Sequence, residues 1–263
     1  MTPDVVCLGI LVADVVARPF DELPEKGSLG FVETVSLHGG GCALNTASVL
    51  TRLGCAAAVA GKVGADALGD FLLQLLDERG VDRRGVIRDP AAPTSATVVL
   101  VGDDGERTFL HSKGANARLE AAELDRELLF SGRCLHVAGA LVLDALDGEP
   151  MAALLQEAKA RGLVTSLDTV WDASGRWERV APSLPYVDVF APSLPEEARA
   201  FFWADGVPEP AGRFAILLVT TGEGSLAGEP ARAGDAFAVP ASSEPFDVGG
   251  DLRILRFLGP DPS

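Results

Sequence analysis

Short apolar runs alternate with helical spacing along the first 80 residues. Segments 5–12 and 55–63 are continuous apolar runs, which predict buried strands. Segment 44–53 places apolar residues three or four positions apart after a run of glycines, and segment 66–79 repeats that spacing. A glycine follows each of these two segments, which therefore predict helices with glycine stops.

The next apolar pattern indicates a hairpin. Segments 95–102 and 107–112 are rich in Val, Leu, Thr and Phe, and Asp104-Gly105 between them is a strong turn signal. This hairpin falls outside the alternation of strands and helices. We expect it to form, with about 12–36, a small antiparallel β lid on the main sheet.

From residue 134 onward, strands alternate with helices. Apolar segments 134–138, 163–168, 187–190 and 216–220 predict strands, and helical patterns separate them. Asp147 is the expected cap of the helix that follows the first of these strands. Such alternation implies parallel strands joined by right-handed crossovers. The predicted fold is α/β, a doubly wound and mainly parallel sheet with a small antiparallel lid, in one domain over 1–263.

The charge balance excludes several partners. Lys and Arg total 22 against 38 Asp and Glu, so the formal net charge is −16. Such a surface repels nucleic acid and anionic membranes. The N-terminus lacks the pattern of a signal peptide, and no apolar run is long enough to span a membrane. The four cysteines form no disulfide framework, and a cytoplasmic protein is expected.

Three common catalytic signatures are missing. The chain has no G-x-x-x-x-G-K-[ST], no G-x-G-x-x-G after its first strand and no G-x-S-x-G. A P-loop, a standard dinucleotide site and a serine hydrolase are therefore disfavoured. The three histidines are scattered, and no metal-ligand set is predicted.

Two segments near the N-terminus are candidates for ligand binding. Gly39-Gly40-Gly41 precedes a predicted helix, so that backbone N–H groups at the helix start are open to a ligand, and Asn45 offers both a donor and acceptors. A tight turn that needs positive φ is the structural alternative. Asp14 follows the first strand run, where ligands bind in open sheets, but it is equally consistent with a solvated turn residue.

Five strings taken together resemble the PfkB-type, ribokinase-like carbohydrate kinases. They cover roughly 4–228 in the order typical of that family: GILVAD, HGGGCALNTASVLTRLG, GKVGADALGDFLLQLLDERGVD, TSATVVLVGDDGERTFLHSKGAN and VTTGEGSLA. The resemblance implies a ribokinase-like core with a lid over a sugar. It further implies that Asp14, Gly40, Gly41 and Asn45 bind sugar hydroxyls and that Arg107, in the lid, also binds the substrate.

The resemblance also implies a nucleotide side. Thr220, Gly222 and Gly224 are similar to the family's T-x-G-x-x-G loop, although the last glycine comes one position early. The family's Asn-x-x-Glu, which organises magnesium and phosphates, matches a segment in which Ser193 replaces Asn and Glu196 is kept. Ser-x-x-Glu is also a capping box, which is a purely structural device.

The catalytic segment departs most from the family, whose D-T-x-G-A-G-D is absent in an atypical, shortened C-terminus. Gly249-Gly250-Asp251 is the favoured replacement, with Asp251 as catalytic base and 252–259 forming about two helical turns. Asp235 is the alternative, but the prolines that follow it prevent a continuous helix.

The resemblance therefore implies ATP-dependent phosphorylation of a sugar hydroxyl, with ATP and Mg²⁺ as cofactors and a small-molecule sugar as substrate. A catalytically impaired sugar-binding homologue and a nucleoside kinase of the same fold are the alternatives. A homodimer that shares lids is also expected from the resemblance.

Overall fold

A computed structural model describes residues 2–20, 22–170 and 177–191, and then 215–221, 223–226, 229–232, 236–239, 248–251 and 253–258. The chain divides into two compact units. The first unit comprises Met1–Val170 and Pro182–Ala191, and the second comprises Trp171–Ala181 and Pro192–Ser263. The single domain expected from the sequence stays a prediction.

The described residues form strands and helices in the following chain order. The strands are β1 Val5–Gly9, β2 Val12–Arg18, β3 Thr34–Gly40, β4 Ala57–Gly64, β5 Asp82–Asp89, β6 Ala96–Val101, β7 Arg107–Ser112, β8 Cys134–Ala140, β9 Val164–Thr169, β10 Val189–Ala191, β11 Ala215–Thr221, β12 Glu223–Leu226, β13 Glu229–Arg232, β14 Ala236–Val239, β15 Val248–Gly250 and β16 Arg253–Leu258. The α-helices are α1 Cys42–Arg52, α2 Ala67–Glu78, α3 Arg126–Leu129 and α4 Glu149–Ala160. Short 3₁₀ helices occupy Gly114–Arg118, Ala121–Glu123, Trp177–Arg179 and Ala181–Tyr186.

The first unit is built on a parallel sheet of six strands in the order β10-β9-β8-β1-β4-β5. Both faces of its centre are covered. Cys7 packs with Leu44 of α1 and Leu72 of α2, whereas Val6 and Leu8, on the opposite face, are also fully buried. Strands buried on both faces need continuous apolar runs, which explains the sequence pattern.

The first apolar run, predicted as one strand over 5–12, is two strands in the structure. β1 ends at Gly9, where a Cβ would overlap the carbonyl oxygen of Ala138 on the neighbouring strand, so that only glycine fits. Residues 10 and 11 then turn the chain into β2, which belongs to a different sheet. The single-strand prediction was wrong, since periodicity alone does not show where a chain changes sheet.

The second sheet has four strands in the order β3-β2-β6-β7. The predicted hairpin is confirmed, with a turn at Gly105, whose φ is +85°. The β2–β3 and β6–β7 pairs are antiparallel, whereas β2 and β6 run parallel. We call this sheet the lid sheet; β3 extends it to Gly40, beyond the predicted end at residue 36.

Three helix starts show how local sequence determines the caps. Gly41 precedes α1 with φ +92°, and Asp66 caps α2 by accepting a hydrogen bond from the backbone N–H of Gly69 at 2.9 Å. The predicted cap at Asp147 was wrong. Gly148 occupies that position before α4, and Asp147 Oδ1 instead accepts from the backbone N–H of Leu141 at 3.1 Å.

The described residues of the second unit form two three-stranded sheets, β14-β11-β16 and β13-β12-β15, and their pairs are antiparallel. Two predictions are therefore wrong. The strand over 216–220 does not continue the parallel sheet, and the segment expected to be helical after Asp251 forms β16 over Arg253–Leu258. Ile254 and Phe257 favour strands, and two helical turns are too few to be stable without packing. The helix predicted after Ser193 lies outside the described residues.

Candidate functional site

The turn before α1 brings the sugar-side candidates of the first unit together. Gly40 ends β3, Gly41 caps α1, and Asn45 lies exposed in the first turn of that helix, where its N–H donates to the carbonyl of Gly41 at 3.0 Å. A Cβ on Gly40 would overlap Asp14 Oδ2. Gly40 therefore makes room for the Asp14 carboxylate, which lies beside the start of α1.

Asp14 is held in the lid sheet by a polar neighbour. It is paired with Thr97 of β6 in the strand register, and the Thr97 hydroxyl donates a hydrogen bond to its carboxylate. Burial raises the pKa of Asp14, while the Thr97 hydrogen bond and the nearby His111 and His38 oppose the rise. A half-buried carboxylate with spare acceptor capacity can bind hydroxyl groups of a ligand.

The same turn contacts a second carboxylate that the sequence analysis did not select. Asp168, near the end of β9, accepts hydrogen bonds from the thiol of Cys42, the first residue of α1, and from the backbone N–H of Gly139. His136 Nε2 lies 3.8 Å from Asp168 Oδ2. Burial raises the pKa of Asp168 to about 6 and that of Cys42 to about 12.

One signal was available for Asp168. It follows the apolar segment of β9 at the carboxyl end of a parallel strand, which is the edge where ligands bind in such sheets. Asp14 thus contacts Gly40 and Asp168 contacts Cys42, so the two carboxylates meet the chain on either side of Gly41. A perturbed carboxyl group in such a place is a candidate for function.

A buried asparagine ties the lid sheet to the core. Asn116 donates from Nδ2 to the carbonyl of Leu11 at 2.9 Å and accepts from the Leu11 N–H at 3.3 Å. Its own N–H donates to Ser95 Oγ at 3.2 Å. Because Leu11 links β1 to β2, Asn116 fixes the point at which the chain leaves the parallel sheet.

Arg107 belongs to the lid sheet, as expected, but not to the Asp14 cluster. It begins β7 next to the hairpin turn, pairs with Val101, and places its guanidinium 5.7 Å from the ring centre of Phe109. His111 lies in the row of Asp14, so Arg107 is four residues, or about 13 Å, farther along the strand. A role in sugar binding stays a prediction.

Several predicted residues of the second unit meet in one strand pair. Gly224 lies opposite Gly250, and Ser225 lies opposite Gly249. Asp251 follows β15, is exposed, and donates its backbone N–H to the carbonyl of Glu223 at 3.2 Å. Thr220 lies in β11. Glu196, Gly222 and Asp235 lie outside the described residues.

Within the described ranges, no group of three or more His, Cys, Asp or Glu side chains is arranged to hold a metal ion. Helices in the same ranges are all too short or too polar to cross a membrane.

A family model and several known proteins match this chain. The model of the pfkB family of carbohydrate kinases matches residues 2–213. Probable fructokinase-5 of Arabidopsis thaliana is 28% identical over 171 residues, which make up 64% of this chain and 51% of that protein. Fructokinase-2 of Zea mays is 34% identical over 149 residues, which make up 56% and 42% of the two chains. The chain thus spans about half the length of these relatives.

Solved structures show the same fold. A fructokinase from Xylella fastidiosa superposes with a TM-score of 0.59 and 24% identity over 72% of this chain and 59% of that one. A ribokinase of Arabidopsis thaliana, complexed with ribose and ATP, superposes with a TM-score of 0.59 and 20% identity. The match covers 73% of this chain and 60% of that one. Because the family model matches most of the chain and these structures share its ribokinase-like fold, the protein belongs to the pfkB family of carbohydrate kinases.

Proposed function

We propose that this protein transfers the γ-phosphoryl group of ATP to a hydroxyl group of a small sugar. The observation that carries the proposal is the contact between the Asp14 carboxylate and Gly40 at the start of α1. An acceptor carboxylate beside open backbone N–H groups suits a neutral ligand with several hydroxyl groups. Family membership supplies the reaction class.

The sugar side is assigned to the first unit. Asp14 accepts hydrogen bonds from two sugar hydroxyls, and the exposed amide of Asn45 binds another. Gly40 and Gly41 let the ligand approach the backbone, because neither carries a side chain. These groups orient the reacting hydroxyl, and positioning supplies much of the catalysis in phosphoryl transfer.

The nucleotide side is assigned to the second unit. The sugar oxygen forms a bond to the γ-phosphorus, the bond to the ADP oxygen breaks, and Asp251 accepts the hydroxyl proton. Backbone N–H groups around Gly249 and Gly250 hold the transferring group, and the loop with Thr220, Gly222 and Gly224 holds the nucleotide. Magnesium ordinarily binds to nucleotide phosphates with one or two carboxylates, and Glu196 is the proposed carboxylate here.

The test is sugar-dependent formation of ADP by the purified chain with ATP and Mg²⁺, measured separately with D-fructose, D-ribose and adenosine. We expect one sugar to stimulate ADP formation above the sugar-free rate, and D251N to lower kcat by about a hundredfold with little change in KM. A larger loss in D235N would move the base to Asp235. No turnover with any acceptor would overturn the proposal, and turnover with adenosine alone would make the chain a nucleoside kinase.

One observation favours a non-catalytic sugar-binding protein as the second candidate. Gly224 and Gly250 pack backbone against backbone, so that the glycines of β12 and β15 have a structural explanation without a nucleotide. Thermal stabilisation by D-fructose, without ADP formation, would support this candidate. Sugar-dependent ADP formation would exclude it.

We further propose that the lid sheet pairs with that of a second copy. One face of this sheet carries the exposed apolar side chains Val35, Leu37, Val98 and Leu110. Contiguous exposed apolar residues mark interaction sites. Light scattering should give the mass of a dimer for the wild type and of a monomer for L110E. A monomeric wild type at micromolar concentration would reject this dimer.

We also propose that the reaction takes place in the cytoplasm. All four cysteines are free in the structure, and cysteines usually stay reduced in that compartment. Cell fractionation with an antibody against the protein would test this assignment.

A further inference from the structure

A row of four polar residues crosses the whole lid sheet. His38 of β3 lies opposite Asp14 of β2, Asp14 lies opposite Thr97 of β6, and Thr97 lies opposite His111 of β7. Residues paired in this way share one face of a sheet, with Cβ atoms about 5 Å apart. The row therefore lies on the face that presents the Asp14 carboxylate.

Packing does not explain this row. The neighbouring row on the same face is apolar except at its β3 end: Ser36, Val16, Val99 and Phe109. The adjoining row on the opposite face is apolar throughout: Leu37, Val15, Val98 and Leu110. Thr97 is buried and Asp14 is half-buried, whereas His38 and His111 at the two ends of the row are exposed. Polar groups removed from water cost stability unless they have hydrogen-bond partners. Two hydrogen bonds lie within the row itself, from Thr97 to Asp14 and between Thr97 and His111.

The hydrogen bonds of the row leave one ring nitrogen available. His111 Nδ1 lies 3.0 Å from Thr97 Oγ1, while His38 Nε2 lies 2.8 Å from Ser36 Oγ on its own strand. The Thr97 hydroxyl donates to Asp14, so it accepts from the Nδ1–H of His111. Burial lowers the pKa of His111, although Asp14 opposes this, and the ring is neutral near pH 7. His111 Nε2 is then an acceptor, and the described residues give it no hydrogen-bond partner.

We propose that His111 determines sugar specificity by accepting, at Nε2, a hydrogen bond from a sugar hydroxyl beyond the pair bound by Asp14. This inference rests on the proposed sugar site. The strands of Asp14 and His111 are separated by β6 alone, so their backbones lie about 10 Å apart, a span that one monosaccharide bridges. Thr97 fixes both side chains, and the row prefers a neutral ligand with several free hydroxyls over one with few.

Three substitutions separate a contact to the sugar from a contact within the protein. In H111Q the amide reaches the position of Nε2, in H111N it reaches the position of Nδ1, and H111F keeps the ring without either nitrogen. We expect calorimetric titration with D-fructose to give a Kd raised about tenfold in H111N and H111F, and within about threefold of wild type in H111Q. T108V, on the opposite face of the same strand, should keep the wild-type Kd.

The outcomes are distinct. A normal Kd in H111N with a raised Kd in H111Q would overturn the inference, because His111 would then act only through Thr97. An unchanged Kd in H111F would overturn it as well. If the wild type binds neither D-fructose nor D-ribose, the proposed function fails and this inference fails with it. Thermal melts of the three variants identify any loss of folding, and the H111Q and H111N pair keeps the test decisive.

Discussion

Glycines mark both the turn before α1 and the β12–β15 pair, but the space they leave is filled differently. At Gly40 the space holds the carboxylate of Asp14, a group that can bind a ligand. At Gly250 it holds the backbone of Gly224 and Glu223. The first glycine is consistent with function, whereas the second is already explained by strand packing.

What fills the space beside a glycine indicates how a glycine-rich string should be interpreted. A glycine required by a neighbouring polar side chain points to a site, because that side chain has been brought there at the expense of packing. A glycine required by a neighbouring backbone points first to architecture. The sugar side of the proposal therefore has direct geometric support, while the nucleotide side depends more on family membership.

The largest effect is expected for G250A on stability. Gly250 has φ +92°, and a Cβ there would lie 2.5 Å from Gly224 Cα. Backbone strain and overpacking together should cost about 3 kcal/mol of unfolding free energy, measured by urea denaturation. G249A is the matched control, because its Cβ would meet only the side-chain oxygen of Ser225, which can move. Equal losses in both variants would contradict the packing explanation.

G40A should affect the sugar site with little loss of stability. The new methyl group displaces the Asp14 carboxylate, so kcat/KM for the sugar should fall about a hundredfold. G39A is its control on the opposite face, where a Cβ would meet the flexible end of Leu75. If steady-state kinetics give the same kcat/KM for G40A and G39A, Gly40 is a structural glycine like Gly250.

A smaller effect is expected from Asp168, the buried carboxylate beside Cys42, on the pH dependence of stability. Burial raises the pKa of Asp168 from 3.8 to about 6, so the folded state binds its proton more tightly than the unfolded state. Stability should therefore fall as the pH rises from about 4 to about 6. D168N removes this charge and should be about 2 kcal/mol more stable than wild type near pH 7, with a flatter profile.

D188N should change the stability near pH 7 in the direction opposite to D168N. Burial opposes the change, but hydrogen bonds from Lys159 and Thr165 lower the pKa of Asp188, so its ionised form stabilises the fold. D188N should lose stability near pH 7 when measured in the same urea titrations. A D168N variant that also loses stability would show that its hydrogen bonds to Gly139 and Cys42 outweigh the cost of burying the charge.

Local signals in the sequence were sufficient for part of the fold and site. The turn at Gly41 and the hairpin at Gly105 depend on residues within a few positions, and the structure has them as predicted. Gly40 and Asp14 were selected separately, and the structure joins them.

Long-range pairing explains what was missed. The Asp14–Thr97–His111 row requires the parallel β2–β6 pair, and Asp168 meets Cys42 only because β9 and α1 converge. No periodicity encodes such contacts. The helix predicted for the segment of β16 was wrong for a related reason, since pairing with β11 decides between strand and helix there.

Phosphorus NMR of a reaction mixture containing the chain, ATP, Mg²⁺ and D-fructose tests the central claim most directly. We expect a new phosphomonoester resonance that grows together with the ADP resonances and that grows more slowly in G40A. Formation of ADP with inorganic phosphate alone, or an unchanged ATP spectrum with both D-fructose and D-ribose, would contradict sugar phosphorylation by this chain.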